Sequence, residues 1–85
     1  MDDERTIYSI VDECKQPTTI TLEKFVADVL QAKLPDVHAW VQAAYDRVAD
    51  KKPHLGRRQK GDLVRALSWR EAIVHLTASG QLDDF

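Results

Sequence analysis

A single cysteine, Cys14, stands among the 85 residues of this chain. One thiol cannot close an intramolecular disulfide, and it leaves a cysteine-based zinc site short of ligands, so stability has to come from packing. Cys14 shares a helical spacing with Ile7, Ile10 and Val11, which favours a buried thiol acting as a small hydrophobe. No apolar run approaches the roughly 20 residues that would cross a bilayer. The start, MDDERT, is acidic where a signal peptide would be basic, and the chain reads as cytoplasmic. Repeats and low-complexity tracts are also missing.

What is present is a small folded domain. Hydrophobic residues at 44% and charged residues at 31% lie within the ordinary globular range, which argues against wholesale disorder. One domain over residues 1–85 is expected, with 1–3 and 81–85 frayed. A chain this short buries little surface, so nearly the whole apolar inventory must serve as core, and a homodimer would supplement it.

Prolines punctuate the pattern. Before Pro17, the spacing of Ile7, Ile10, Val11 and Cys14 suits a short amphipathic helix over residues 3–15, although the alternation of Thr6, Ile7, Tyr8, Ser9 and Ile10 would also suit a strand. Thr21 offers a helix cap, and Leu22, Phe25, Val26, Val29 and Leu30 then form one helical face that should end near Lys33, ahead of Pro35. A further helix starts at Pro35 or Asp36 and carries Val37, Trp40, Val41, Ala44, Tyr45 and Val48 on its apolar side, ending before Pro53. The last begins between Arg57 and Asp62. On it Leu63, Val64, Leu67 and Val74 share one arc, Ala66, Trp69, Ile73 and Leu76 a second, and Gly80 is placed to close it. The expected fold class is all-α, a small bundle of three to four helices with short connections.

Catalysis needs a combination of groups, such as a nucleophile beside a base or a metal with open coordination. His38, His54 and His75 fall on separate segments, and no zinc, phosphate-loop or nucleophile-elbow motif occurs, so neither an enzyme nor a cofactor or metal is expected.

Charge is distributed unevenly. Between Lys51 and Arg70 seven basic residues face one acid, Asp62, a net +6, whereas the other sixty-five residues carry −8. Such a polarised surface seeks an anionic partner. Within GRRQKGDLVR, Arg57, Arg58 and Lys60 stand at a helix start, where unpaired N–H groups and the helix dipole already favour phosphate. Arg65 follows Arg58 at seven residues, on nearly the same side, with Trp69 one turn beyond. The leading expectation is a small regulator that binds nucleic acid, DNA rather than RNA, through Lys51, Lys52, Arg57, Arg58, Lys60 and Arg65. Asp46 and Asp50 are the acids placed to neutralise part of that stripe. His54, among cations in the preceding loop, reads as an exposed loop histidine.

Two DNA-binding arrangements fit poorly. A helix-turn-helix across Gln31 to Leu34 lacks the turn glycine and would lead its recognition helix with Asp36, which phosphate repels. A strand-plus-two-helix reader finds a suitable alternation in Thr18 to Leu22, but Pro35 interrupts its first helix. The rival expectation is a protein-binding module of the adaptor, antagonist or antitoxin type. It would use Arg65, Trp69, Arg70, Ile73 and Leu76, which have the aromatic-plus-arginine composition of interface hot spots.

Overall fold

The computed structural model describes residues 5–78. A β-hairpin precedes three helices, in the order β1 (Arg5–Val11), β2 (Pro17–Glu23), α1 (Lys24–Lys33), α2 (Val37–Lys51) and α3 (Arg57–Ala78). The architecture is mostly helical but α+β, which corrects the all-α expectation at its N-terminal end. The expected fraying of 1–3 and 81–85 and the helix end at Gly80 lie outside the described residues.

β1 owes its form to the alternation of Thr6, Tyr8 and Ile10 with Ile7, Ser9 and Val11, rich in the β-branched and aromatic residues that suit a pleated surface. It pairs antiparallel with β2 in a register that sets Tyr8 against Ile20 and Thr6 against Leu22. Ile10, Ile20 and Leu22 are buried on the helix-facing side, while Ile7 and Val11 on the other side are exposed. A helix would have grouped Ile7 with Ile10; the strand separates them, because successive strand side chains point to opposite faces.

The five-residue turn, 12–16, is built around Asp12. Its carboxylate accepts from the Cys14 and Gln16 amides at 2.9 Å each, and Lys15 takes a left-handed conformation at φ 63°. Cys14 lies exposed in this turn, not buried. Thr21 sits within β2 opposite Ile7, so α1 starts three residues later. Its N-cap, Glu23, offers no side-chain bond.

α1 and α2 follow their apolar periodicity. α1 ends at Lys33 and buries Val26, Ala27 and Leu30. Asp36 caps α2, accepting from the Ala39 amide at 3.1 Å, and Val37, Val41, Ala44, Tyr45 and Val48 are buried. Trp40 packs at the core margin, half-buried.

α3 departs from expectation. Its buried face runs Gly61, Val64, Ser68 and Ala72 in steps of three to four, mostly through small residues, with Lys60 buried beside Gly61. Leu63 and Val74, expected in the core, are exposed. Small side chains let the long helix lie close against β2, α1 and α2, and the Ser68 hydroxyl is satisfied by donating to the Val64 carbonyl at 2.8 Å.

Candidate interaction surface on β2 and α3

The hairpin turn anchors the start of α3. Lys60, only 2% exposed, donates from Nζ to Glu13 Oε2, and the Tyr45 hydroxyl donates to Glu13 Oε1 at 3.2 Å. The Arg57 guanidinium lies 3.2 Å from the buried Asp12 carboxylate. A buried ammonium demands a counter-charge, and the turn supplies it. The Lys60 hydrogen bond, more than any other contact, holds the Glu13 carboxyl below its ordinary value of 4.5. Burial, reinforced by the Glu13 charge, pushes the Tyr45 phenol up to about 12.

These contacts redistribute the basic segment. Lys60 is an internal ion-pair partner, a correction to its expected place among solvent-facing phosphate contacts: its side chain is buried and its ammonium is held by Glu13 of the turn. Arg57 is shared with Asp12, and Arg65 pairs with Asp62. The neutralising acids come from the hairpin turn and from Asp62, whereas Asp46 accepts instead from Gln42 at 3.0 Å. Arg58 is exposed and makes no ion pair among the described residues. Lys51 and Lys52 are exposed at the end of α2, where positive charge complements the helix dipole. His54 is exposed in the loop that follows.

Three of the six expected phosphate ligands nevertheless converge. Arg57, Arg58 and Arg65 line an open depression of about 450 Å³ together with Thr18, Thr19, Ile20, Tyr45 and Gly61. Lys51, Lys52 and Lys60 are not part of that lining. A second depression, of about 530 Å³, continues along the same seam between Arg5, Thr21, Leu22, Glu23 and Val26 on one side and Arg65, Ala66 and Trp69 on the other. Arg65 borders both.

Beside the second depression lies an apolar patch. Trp69 is 42% exposed and Ile73, one turn later, 41%. Phe25, 50% exposed at the start of α1, meets Trp69 with ring centroids 5.7 Å apart and planes at 42°. Packing inside the bundle, the expected fate of Phe25, is thus not the environment of this pair. Arg70 is exposed and Leu76 half-buried. Phe25 escaped the sequence reading because its spacing matches the buried face of α1, and only the position of Trp69 reveals its exposure.

Comparison of the chain with protein-family models, with curated proteins and with solved structures gives no match. Among the described residues, no helix is long and apolar enough to cross a membrane.

Proposed function

We propose that this protein is a small protein-binding module, of the adaptor, antagonist or antitoxin kind, without catalytic activity of its own. The observation that carries the reading is the Phe25–Trp69 ring pair standing half in solvent beside Ile73, flanked by Arg65 and Arg70. Large aromatic groups left exposed in contact with one another gain most by being covered, and aromatic and arginine side chains dominate the energetics of protein interfaces. Half-buried Leu76 belongs to the margin of this surface.

The expected outcome of a capture experiment from source-cell extract, with the full chain immobilised, is a protein retained by the native sequence and lost with Trp69→Ser. The helical circular dichroism of the variant should be unchanged, since half of the indole already faces water. Equal capture by both forms would overturn the reading.

Nucleic acid is the second reading, supported by the convergence of Arg57, Arg58 and Arg65 on one depression. Burial of Lys60 and the ion pairs of Arg57 and Arg65 limit the number of phosphates this surface can neutralise. Affinity for a random duplex falls with log salt at a slope of about −0.9 per phosphate contacted. A shallow slope, of two or three contacts, agrees with the protein-binding reading, whereas a steep one transfers the function to nucleic acid.

A further inference from the structure

The two outer edges of the hairpin are treated differently. On β1, the Gln42 side chain accepts from the Val11 amide at 3.0 Å and donates to the Val11 carbonyl at 2.9 Å, as a neighbouring strand would. His38 Nε2 contacts the Ser9 carbonyl. α2 therefore covers the β1 edge with side chains at Ser9 and Val11. These bonds also fix the direction of the backbone: positions 9 and 11 point their polar groups away from β2. In an antiparallel ladder the residue opposite such a position does the same on the other strand. The register sets Ser9 against Thr19 and Ile7 against Thr21, so Thr19 and Thr21 direct their N–H and C=O groups off the far side of β2. The bond from the Asp12 amide to the Gln16 carbonyl, at 2.9 Å, agrees with inward pairing at even positions. Among the described residues, nothing hydrogen-bonds to the outward groups of Thr19 and Thr21.

The space beside this edge is a groove. Six consecutive β2 residues, Thr18 to Glu23, line the two depressions in turn. A cavity over one face of a strand would be lined by alternate residues, so one lined by consecutive residues follows the backbone edge. α3 forms the opposite wall, and its small residues Gly61 and Ala66 keep the wall low.

We infer that the open edge of β2 receives an extended acidic segment of a partner protein as a third strand, seated between β2 and α3. The inference rests on the protein-binding reading and names the class of partner for that surface. Backbone pairing with Thr19 and Thr21 supplies affinity, and the side-chain chemistry of the groove supplies selectivity. At the Thr18 end, Arg57, Arg58 and Arg65 select carboxylates, Arg58 being the one without an ion pair among the described residues. At the Glu23 end, Val26, Ala66 and Trp69 select a bulky apolar side chain.

Other occupants complement the groove less well. A second copy pairing through the same edge would bring two sets of these arginines along one seam, and like charges in juxtaposition disfavour that contact. A phosphodiester backbone satisfies the guanidinium groups, but it has no regular array of donors and acceptors to match the strand edge.

Selection on the intact protein from a randomised display library of ten-residue peptides tests the proposal. Enriched peptides should carry acids and one bulky apolar residue. Their binding should slow hydrogen exchange at the Thr19 and Thr21 amides, and Arg58→Glu should weaken it. N-methylation of one pairing amide in the selected peptide should weaken binding about tenfold, with the protein itself untouched. Failure to enrich any peptide overturns the proposal. So do selected peptides that leave both amides exchanging at their free rate; if those peptides still require Trp69, strand addition falls while the protein-binding reading stands. A dimer in sedimentation that Thr21→Pro dissociates, with circular dichroism retained, would also overturn it, by assigning the edge to a second copy. Amide protection by random duplex in place of peptide would overturn both readings together.

Discussion

At the scale of single residues, Glu13 is the informative position, since one exposed carboxylate accepts from both a buried ammonium and a buried phenol. Its folded acidity is strengthened and that of Tyr45 weakened, which fixes the sign of the pH response at both ends. Below the ordinary carboxyl value of 4.5 the unfolded chain binds a proton that the folded Glu13 refuses, so stability is lost as pH falls through the folded value. Above 10.0 the unfolded tyrosine ionises while the folded phenol keeps its proton to about 12, so stability declines again across that interval. Urea midpoints measured against pH should show both declines. Glu13→Gln should flatten the acid one and Tyr45→Phe the alkaline one. Glu13→Gln should also lower the midpoint at neutral pH more than Lys60→Met does, because the first leaves a buried cation alone whereas the second leaves only a half-exposed carboxylate.

The residues of this cluster show what a sequence conceals. Arg57, Arg58 and Arg65 were visible as a group, and they do meet at one depression. The withdrawal of Lys60 was not visible, because its partner stands 47 positions earlier in a turn that no local pattern announces. Charge density along a chain reports the supply of cations; their availability depends on acids that long-range pairing brings to them.

Among the elements, α1 and α2 were legible because their apolar spacing, their prolines and the Asp36 cap agree with one another. β1 was not, since over seven residues helical and strand periodicities select overlapping sets, and only pairing with β2 separates them. On α3 the expectation failed for another reason: it ranked faces by size, whereas the buried face is defined by how closely the helix approaches its neighbours. Gly61 measures how close that approach is. It is buried within the second turn, yet an added methyl would meet Ile20 Cδ1 at 3.6 Å, an ordinary van der Waals separation. With space available, the helical preference of alanine should prevail. Gly61→Ala is expected to raise stability by about 0.5–1 kcal/mol, measured by urea unfolding. A loss would mean that the approach of α3 to β2 is closer in solution than this spacing implies.

For the molecule as a whole, the decisive relation is between a hairpin that is weak alone and a helical layer that is incomplete without it. A two-stranded sheet is at best marginally stable in water. Here its inner face supplies Ile10, Ile20 and Leu22 to the core shared with α1, α2 and α3, and its turn supplies both counter-charges to α3. The parts should therefore fold as one cooperative unit, and damage to the hairpin should be felt in the helices. Ile20 is the sharpest probe, being 2% exposed in the middle of β2 with its Cδ1 3.6 Å from where a Cβ on Gly61 of α3 would lie. Truncation to alanine leaves a cavity that the surrounding strands and helices can only partly close, at a cost of about 2–5 kcal/mol. Unfolding of Ile20→Ala followed by far-ultraviolet circular dichroism, which reports the helices, should coincide with unfolding followed by hydrogen exchange in β1 and β2. Exchange of the strand amides well before the helical signal is lost would show that the hairpin opens independently, and the groove beside β2 would then be a transient feature with no fixed wall against which a partner strand could be held.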